Sequence, residues 1–335
     1  MSNHSGRTRR ELPGTRAFDV PTEIPWAALD RRYFARVAGL PSPLDELAVD
    51  RRLFTGKGDA VRFDSLADIH PLVACLPWLF DEAFPAVSIS DVLDIAEAGV
   101  FLSMGMLLND VFQDDQLCNR ADVPLLHQHL VLMAQRQFGI LFESTSRFWS
   151  YLDKYTHQYD QALLAHDQHR GMVRAYTLEQ MHTIGSGKVA LLKTVSTALA
   201  LKGQGEHHVM RLENAIDSLT AAMQLGDDIV DWADDYQLQN YTFPLTCVIP
   251  QANWPAPQLS VEEVGRLFDS SVIRENLVAQ VIQWFQLAAT IIDELNCPHW
   301  AAFVMSCIEL SRDYQESIVA RKLLRVLAGQ QMIVQ

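Results

Sequence analysis

The sequence predicts an all-α protein, a single-domain helical bundle. Apolar residues recur at helical spacing along most of the chain, whereas the alternation typical of strands is scarce. Of the 335 residues, 49% are hydrophobic, which is enough for a sizeable core. No linker rich in Pro, Gly and Ser divides the middle of the chain. We therefore expect a flexible arm over residues 1–25 and one domain over residues 26–335.

Composition excludes several classes of protein. The formal net charge of −14 argues against a nucleic-acid surface, which needs a basic stripe. The five cysteines show neither zinc-site spacing nor a disulfide framework, so we expect them to be reduced. No run of 18 apolar residues and no signal peptide is present, so the sequence predicts no membrane span and a cytoplasmic protein.

The first helices are expected to be short. From Pro25 the pattern is helical, with breaks at 39–43 and 56–58, where Gly and Pro cluster. Residues 68–84 form an apolar segment predicted to be one helix, kinked or broken at Pro77.

A long helix is predicted next, with Ser90 as its N-cap and its end near residue 117. Its apolar face includes Val92, Leu102 and Met106, and continuing by fours this face reaches Asp110 and then Asp114. Taken alone, such a pattern indicates a helix that emerges into water. Together with a second acidic cluster further along the chain, it suggests a site for cations.

The segment 176–201 contains Gly185, Ser186 and Gly187 within a helical pattern, followed at once by Lys188. Two glycines inside a helix cost about 1 kcal/mol each relative to Ala, so a kink or exposed carbonyl groups are expected there. A lone lysine is ordinarily a surface residue. Beside a helix break that faces acidic side chains, it can instead bind a phosphate oxygen.

The densest feature is QLGDDIVDWADDYQLQNYTFP over residues 224–244, with five aspartates within nine residues and no basic residue. On one helix Asp227, Asp231 and Asp235 would form a column, bordered by Gln224 and Asp228. A solvated charge run is one interpretation of this cluster.

The apolar neighbours of these acids favour a different interpretation. Ile229, Val230 and Trp232 lie between the aspartates, which indicates a mostly buried helix. Buried carboxylates must be paired, protonated or bound to metal. Oxygen-only ligands suit Mg²⁺, which is usually completed by phosphate oxygens of a substrate.

Three stretches resemble the class I isoprenoid-diphosphate enzymes, a superfamily of trans-prenyl diphosphate synthases, squalene/phytoene synthases and class I terpene synthases. LLNDVFQDDQLCNRADVP (107–124) resembles their first Asp-rich motif, although Val111 replaces its middle aspartate and leaves DxxxD. IGSGKVALL (184–192) is similar to their GKTxxL segment, and MQLGDDIVD (223–231) to FQxxDDxxD. The longer segment 224–244 also looks like the second motif of phytoene synthases, with Asp231 and Asp235 as DxxxD and Pro244 at its end.

The resemblance implies an α fold in which two Asp-rich helices face each other across a cavity. It also implies three Mg²⁺ ions that bind an allylic prenyl diphosphate of C10–C20 or longer, whose departure leaves a carbocation. Catalytic and metal-binding roles are implied for Asp110, Asp114, Asp227, Asp228 and Asp231, and substrate-binding roles for Lys188, Arg120, Gln224, Gly185 and Asp235. A homodimer is one assembly open to such a chain.

The segment SLADIHP (65–71) stands where chain-elongating synthases carry GGKRxRP, and it lacks the lysine and both arginines that bind a second diphosphate. We therefore predict first a class I terpene synthase, which ionises one diphosphate and cyclises or quenches the cation. The alternative is a prenyltransferase, either a prenyl diphosphate synthase or a squalene/phytoene synthase-like enzyme. In that case the candidates to replace the missing cations are Arg51, Arg52, Lys57 and Arg62. A non-catalytic partner subunit is the third interpretation.

Overall fold

A computed structural model describes residues 24–55, 62–69, 71–113, 120–174, 176–249 and 259–333. Within these ranges the chain is helical, and its β-type pairing is confined to two isolated bridges, Asp50 with Arg62 and Arg170 with Asn240. The all-α prediction is confirmed.

Fifteen α-helices lie in the described ranges. In chain order they are α1 (Trp26–Val37), α2 (Leu44–Leu47), α3 (Arg51–Thr55), α4 (Pro71–Cys75), α5 (Ile89–Gln113), α6 (Asp122–Leu141), α7 (Phe148–Asp167), α8 (Leu178–Gly187), α9 (Lys193–Lys202), α10 (Val209–Val230), α11 (Trp232–Gln237), α12 (Phe243–Val248), α13 (Val261–Ser270), α14 (Ile273–Ile291) and α15 (Pro298–Ile333).

The packing of these helices centres on α5 and α10. Helix α5 packs against α6 and α9, and α10 packs against α8, α14 and α9. The predicted apolar face of α5 is buried, with Val92, Leu102 and Met106 each at most 8% exposed. One hydrophobic cluster runs from Ile24 to Ile318, and a smaller one joins α12 to α13. Because α10 lies inside this core, the aspartates at its end are held on a rigid element.

Two predicted helices need correction. Helix α5 is capped by Ser88, whose hydroxyl accepts from the Asp91 N–H at 3.1 Å, and Ser90 lies inside the first turn. The break predicted at Pro77 is present, but the segment 68–84 holds only one short α-helix, α4, flanked by 3₁₀ turns at Leu66–Asp68, Leu76–Leu79 and Asp81–Ala83. Pro77 has no N–H to donate, and its ring would clash with the carbonyl group one helical turn earlier. Both effects favour such short turns over a continuous helix.

The predicted kink after the glycines is confirmed. Helix α8 ends at Gly187, a turn follows at 188–189, and the two segments on either side are bent by 54°. No single helix among the described residues has the length and apolar character to cross a bilayer. The bent pair 178–187 and 190–202 meets that test only when its halves are taken together.

Candidate active site

The second acidic cluster lies where α10 gives way to α11. Helix α10 ends at Val230, and Asp231 has a turn-like backbone with φ −91° and ψ 10°. The single helix predicted here is therefore two helices. The four-residue repeat is nevertheless preserved, because the Asp231 N–H donates to the Asp227 carbonyl at 2.8 Å and the Asp235 N–H donates to the Asp231 carbonyl at 3.0 Å.

Asp228 is the buried member of this cluster, with 5% of its surface exposed. The Gln224 side-chain amide donates to Asp228 Oδ1 at 2.7 Å, so the supporting role predicted for Gln224 has a structural counterpart. Burial raises the pKa of Asp228 to about 7, against the opposing effects of the Gln224 hydrogen bond and the Lys188 charge. The neighbouring carboxylates of Asp227 and Asp231 raise this pKa further.

Asp235 shares this environment about two turns after Asp228. Burial and then the charge of Asp228 raise the pKa of Asp235 to about 8. The Asn240 side chain donates to Asp235 Oδ1 at 3.1 Å, and the Thr242 hydroxyl lies 3.5 Å from Oδ2. Two of the aspartates are therefore protonated, in part or mainly, near neutral pH when no cation is bound.

Lys188 follows α8 directly and is half-buried, with its backbone N–H donating to the Ile184 carbonyl at 2.9 Å. Its ammonium lowers the pKa of Asp228 and, after the larger effect of burial, the pKa of His166, which falls to about 3. The structure therefore brings together the lysine and the carboxylate that the sequence predicts to act on one diphosphate.

Two glycines allow this approach. A Cβ added to Gly185 would lie 3.2 Å from Gln224 Cβ and 3.4 Å from Ala221 Cα, which shows how closely α8 packs against α10. A Cβ added to Gly187 would lie 2.5 Å from Ala162 Cβ on α7. The glycines that weaken α8 as a helix therefore place Lys188 between α7 and α10.

The first acidic motif is described only in part. The backbone of Asp110 lies in the last turn of α5, but Asp114 falls at 114–119, outside the described residues. The neighbouring Asn109 side chain donates to the Tyr159 hydroxyl on α7 at 2.8 Å. Tyr159 lies one turn before Ala162, the residue that meets Gly187. The ends of α5 and α8 thus meet the same stretch of α7.

Arg120 is engaged by a neighbour in this structure. Its guanidinium forms a two-pronged pair with Asp122, Nη2 to Oδ2 at 2.6 Å and Nε to Oδ1 at 3.1 Å. The hydrogen bond to Arg120 is the main reason that the pKa of Asp122 is lowered. A substrate-binding role for Arg120 therefore stays a prediction, and it requires this pair to open or to be shared.

The donor set fits a hard divalent cation that arrives with a phosphate ligand. Among the described side chains, no three His, Cys, Asp or Glu converge closely enough to hold a metal ion unaided. Mg²⁺ ordinarily takes one or two carboxylates and completes its shell with water and phosphate oxygens. Burial, and to a smaller extent the charges of Asp227 and Asp231, raise the pKa of Asp228, and a bound cation would favour its ionised form. The three-Mg²⁺ arrangement itself stays a prediction.

Tyr176 and His169 are site neighbours that the sequence reasoning missed. Their rings stack at 4.1 Å, and burial together with the charge of Asp228 raises the pKa of Tyr176. Thr177 and Gln180 form a capping box at the start of α8. That motif is readable in the sequence and would have placed Tyr176 immediately before the helix that carries Lys188.

Comparisons with known proteins give a structural match without a sequence match. No protein-family model and no curated protein matches the chain. A polyprenyl synthase from Caulobacter crescentus, solved with calcium and isoprenyl diphosphate, superposes with a TM-score of 0.66 at 14% identity, covering 86% of this chain and 94% of that one. A decaprenyl diphosphate synthase from Rhodobacter capsulatus gives 0.66 at 14%, covering 87% and 95%.

A geranylgeranyl pyrophosphate synthase from Lactobacillus brevis gives a TM-score of 0.61 at 17% identity, covering 87% of this chain and 95% of that one. The chain has the fold of the prenyl diphosphate synthases. The resemblance drawn from three short motifs is thus confirmed at the level of the fold. At such low identity the prenyl diphosphate synthase fold carries no residue roles with it, so the roles of the aspartates and of Lys188 depend on the geometry described above.

Proposed function

We propose that this chain binds an allylic prenyl diphosphate between Lys188 and the aspartates at the end of α10 and transfers its prenyl group to an acceptor. The observation that carries the proposal is the approach of Lys188 to buried Asp228, made possible by Gly185 and Gly187. The fold shared with prenyl diphosphate synthases favours this prenyltransferase alternative over the terpene synthase predicted first.

Each group has a defined task in this proposal. The Lys188 ammonium binds a diphosphate oxygen as a point charge. Asp227, Asp228 and Asp231, with Asp110 and Asp114 from the first motif, supply oxygens for divalent cations, which we propose to be Mg²⁺. Such cations, when bound, neutralise charge on the leaving diphosphate. Gln224 holds the Asp228 carboxylate in place through its 2.7 Å hydrogen bond.

The buried apolar face of α5 is the surface that we propose for the prenyl chain. Leu102 and Met106 precede Asp110 by two turns and one turn, and they are 5% and 8% exposed. An apolar wall that excludes water protects a reactive cation from hydrolysis. The chain length of the substrate would then depend on the side chains along this face.

A terpene synthase remains the second candidate because of the segment 65–71. The Ser65 hydroxyl and the Leu66 N–H both donate to Asp30, at 2.9 and 2.8 Å, so this segment is tied to α1 by a carboxylate. His70 lies outside the described residues. Of the upstream candidates for a second basic pocket, Arg52 is paired with Asp50 at 2.8 Å, and Lys57 also lies outside the described residues. This favours a single diphosphate site.

One incubation separates the candidates. Purified protein with Mg²⁺ is given C10, C15 and C20 allylic diphosphates, each with and without labelled isopentenyl diphosphate, and the products are extracted before and after phosphatase treatment. Label in a longer prenyl diphosphate supports the prenyltransferase. An unlabelled hydrocarbon or alcohol with released pyrophosphate supports the terpene synthase. Squalene-type condensation gives a hydrocarbon of twice the substrate length. No pyrophosphate release from any substrate rejects all three activities, and undiminished turnover in excess EDTA rejects the role of the aspartates.

A further inference from the structure

A second charged feature lies beyond the acidic cluster. A cavity of about 130 Å³ opens between α11, α13, α14 and α15. Its lining includes Trp232, Gly265, Asp269, Arg274, Arg321 and Lys322. Three cations thus face one carboxylate in a chain whose formal net charge is −14. Such a local excess of positive charge needs an explanation.

Arg274 is the most buried of the three cations, with 11% of its side chain exposed. Its Nη1 lies 3.5 Å from Asp269 Oδ1, and its guanidinium sits over the Phe268 ring at 5.0 Å. The Nε of Arg274 is buried and has no hydrogen-bond partner among the described residues. A buried guanidinium N–H without an acceptor is unfavourable, and an anion in the cavity would supply one.

The other two cations differ in how far they are neutralised. The Lys322 ammonium donates to the Ser271 carbonyl and to Glu275, so its charge is largely compensated. The Arg321 guanidinium donates within α15, to the Ser317 carbonyl at 3.2 Å and its hydroxyl at 3.4 Å. Neither contact of Arg321 is to a carboxylate. Arg321 therefore carries positive charge that no carboxylate among the described residues compensates, and Arg274, although paired with Asp269, keeps an Nε without a hydrogen-bond partner there.

The start of α14 adds to this charge. Arg274 lies in the first turn of that helix beside Glu275. Val272, at the N-cap position, gives no side-chain cap, and the Ser271 hydroxyl accepts from the Ile273 N–H at 3.4 Å. The N-terminus of a helix carries partial positive charge and favours anions. The cavity thus combines the start of α14 with one buried donor, Arg274 Nε, that has no acceptor among the described residues, and with Arg321, which donates only within its own helix.

We propose that this cavity binds a phosphate group, and that it does so without a divalent cation. Its volume of about 130 Å³ leaves room for one phosphate group. Arg274 and Arg321 donate charge-assisted hydrogen bonds to those oxygens. Inorganic phosphate, pyrophosphate and the diphosphate head of a prenyl substrate all present this group.

The cavity is separate from the acidic cluster but adjoins it in the chain. Trp232 lines the cavity and directly follows Asp231. The two sites have opposite charge, so they differ in what they need: the aspartates repel a phosphate until a cation is present, whereas the basic cavity attracts it unaided. A chelator therefore separates binding at the cavity from binding at the proposed catalytic site.

The test measures binding of phosphate, pyrophosphate and farnesyl diphosphate to the full chain in excess EDTA by titration calorimetry. We expect saturable binding that weakens at least tenfold in Arg274→Gln and in Arg321→Gln. The exposed Arg321 gives a variant that is not part of the buried packing. Arg266→Gln on α13 is the matched control, because Arg266 is exposed and only 4.0 Å from Glu263, one turn away. It should bind like the parent.

Comparison of the three ligands identifies the source of the phosphate group. Equal affinities indicate a general phosphate site, tighter pyrophosphate binding indicates the product of the proposed reaction, and tighter farnesyl diphosphate binding indicates a substrate. The proposal is overturned if the parent binds none of them in EDTA, or if all three arginine variants bind as the parent does. Lys188→Ala should leave phosphate binding at the cavity unchanged. The cavity proposal can therefore hold even if the proposed function fails.

Discussion

At Asp228, burial and neighbouring charge act in the same direction and a hydrogen bond opposes them. The pKa rises to about 7 because the carboxylate loses water and faces Asp227 and Asp231. Since the folded state holds this proton more tightly than the unfolded state, stability from this group is fully present below an unfolded pKa of about 4. It is lost as the pH rises to about 7.

Asp228→Asn removes the free-energy cost of ionising this buried carboxyl group. In EDTA at pH 8 the variant should be more stable than the parent by up to about 4 kcal/mol, since each unit of pKa shift is worth about 1.36 kcal/mol. The difference should shrink at pH 5, while activity is lost at both. Urea unfolding at the two pH values measures this. Asp227→Asn, at an exposed carboxylate, is the control and should change stability little. A destabilised Asp228→Asn at pH 8 would contradict the account.

Lys188→Ala tests the phosphate contact. Loss of a charge-assisted hydrogen bond of about 1.5–3 kcal/mol should weaken diphosphate binding tenfold or more. It should also raise the pKa of Asp228 further, because the Lys188 charge lowers it. Lys202→Ala is the control, since Lys202 ends α9 and is paired with Asp91 at 3.4 Å. Binding to Lys188→Ala that matches the parent would show a surface lysine without this role.

At the residue scale, the sequence predicts site residues whose spacing along the chain is itself the signal. Asp228, Gln224 and Lys188 could be found because helical periodicity and a glycine break act locally. Asn240 and Tyr176 could not, since the Asn240 hydrogen bond depends on how the chain leaves α11, and the effect of Asp228 on Tyr176 depends on how α8 packs against α10. Asp110 stays a prediction because its side chain lies outside the structural description.

At the scale of elements, the glycines of α8 lower its intrinsic helix stability and allow it to pack closely against its neighbours. Gly187 lies against α7, with only 3.3 Å from an added Cβ to the Gln158 carbonyl. Glycine lowers helix propensity, so its presence here is explained by the approach and not by the helix. The sequence indicates the kink, but not that two neighbouring helices require it.

Gly187→Ala should separate α8 from α7. The new methyl would lie 2.5 Å from Ala162 Cβ, so overpacking of about 1–3 kcal/mol is expected, with weaker diphosphate binding as Lys188 shifts. Gly139→Ala on α6 is the control, because nothing lies within 4 Å of its added Cβ. That variant should be neutral or stabilised by up to about 1 kcal/mol. Equal effects at both sites in urea unfolding would refute the packing argument.

Helix boundaries illustrate what local patterns leave undecided. Both Ser88 and Ser90 are suitable N-caps by residue type, and only the backbone shows that Ser88 accepts from Asp91. Over 68–84, apolar content predicts one helix, whereas Pro77 and the packing against α5 divide it. Apolar runs indicate burial more directly than they indicate continuity.

At the scale of the molecule, one cluster of buried side chains extends from α1 to α15. Trp300 lies within this cluster and is 1% exposed. Its ring stacks on Phe80 with 4.8 Å between the ring centroids, and its indole N–H donates to the Ala288 carbonyl at 3.0 Å. The all-α class could be predicted because helical periodicity persists along the chain. Which helices pack against each other could not be predicted, because the contacts join residues more than 200 positions apart, such as Phe80 and Trp300.

Trp300→Ala tests whether residues 26–335 form one domain, which stays a prediction. Removing this side chain should cost about 3–5 kcal/mol, and a shared core should pass that cost to every helix. Tryptophan fluorescence and far-ultraviolet circular dichroism should then show one coincident transition, moved to lower urea. Exposed Met210→Ala should leave the midpoint unchanged. Separate transitions by the two probes would show more than one folding unit.

Burial of Asp228 and Asp235 has a further consequence for calorimetry. Their pKa values of about 7 and 8 mean that protons occupy these carboxyls when the protein is free of cations near neutral pH. Any divalent ion that binds there must displace them into the solvent. The heat of Mg²⁺ binding should therefore vary with the ionisation enthalpy of the buffer. The slope counts the protons released and falls to zero in alkaline solution.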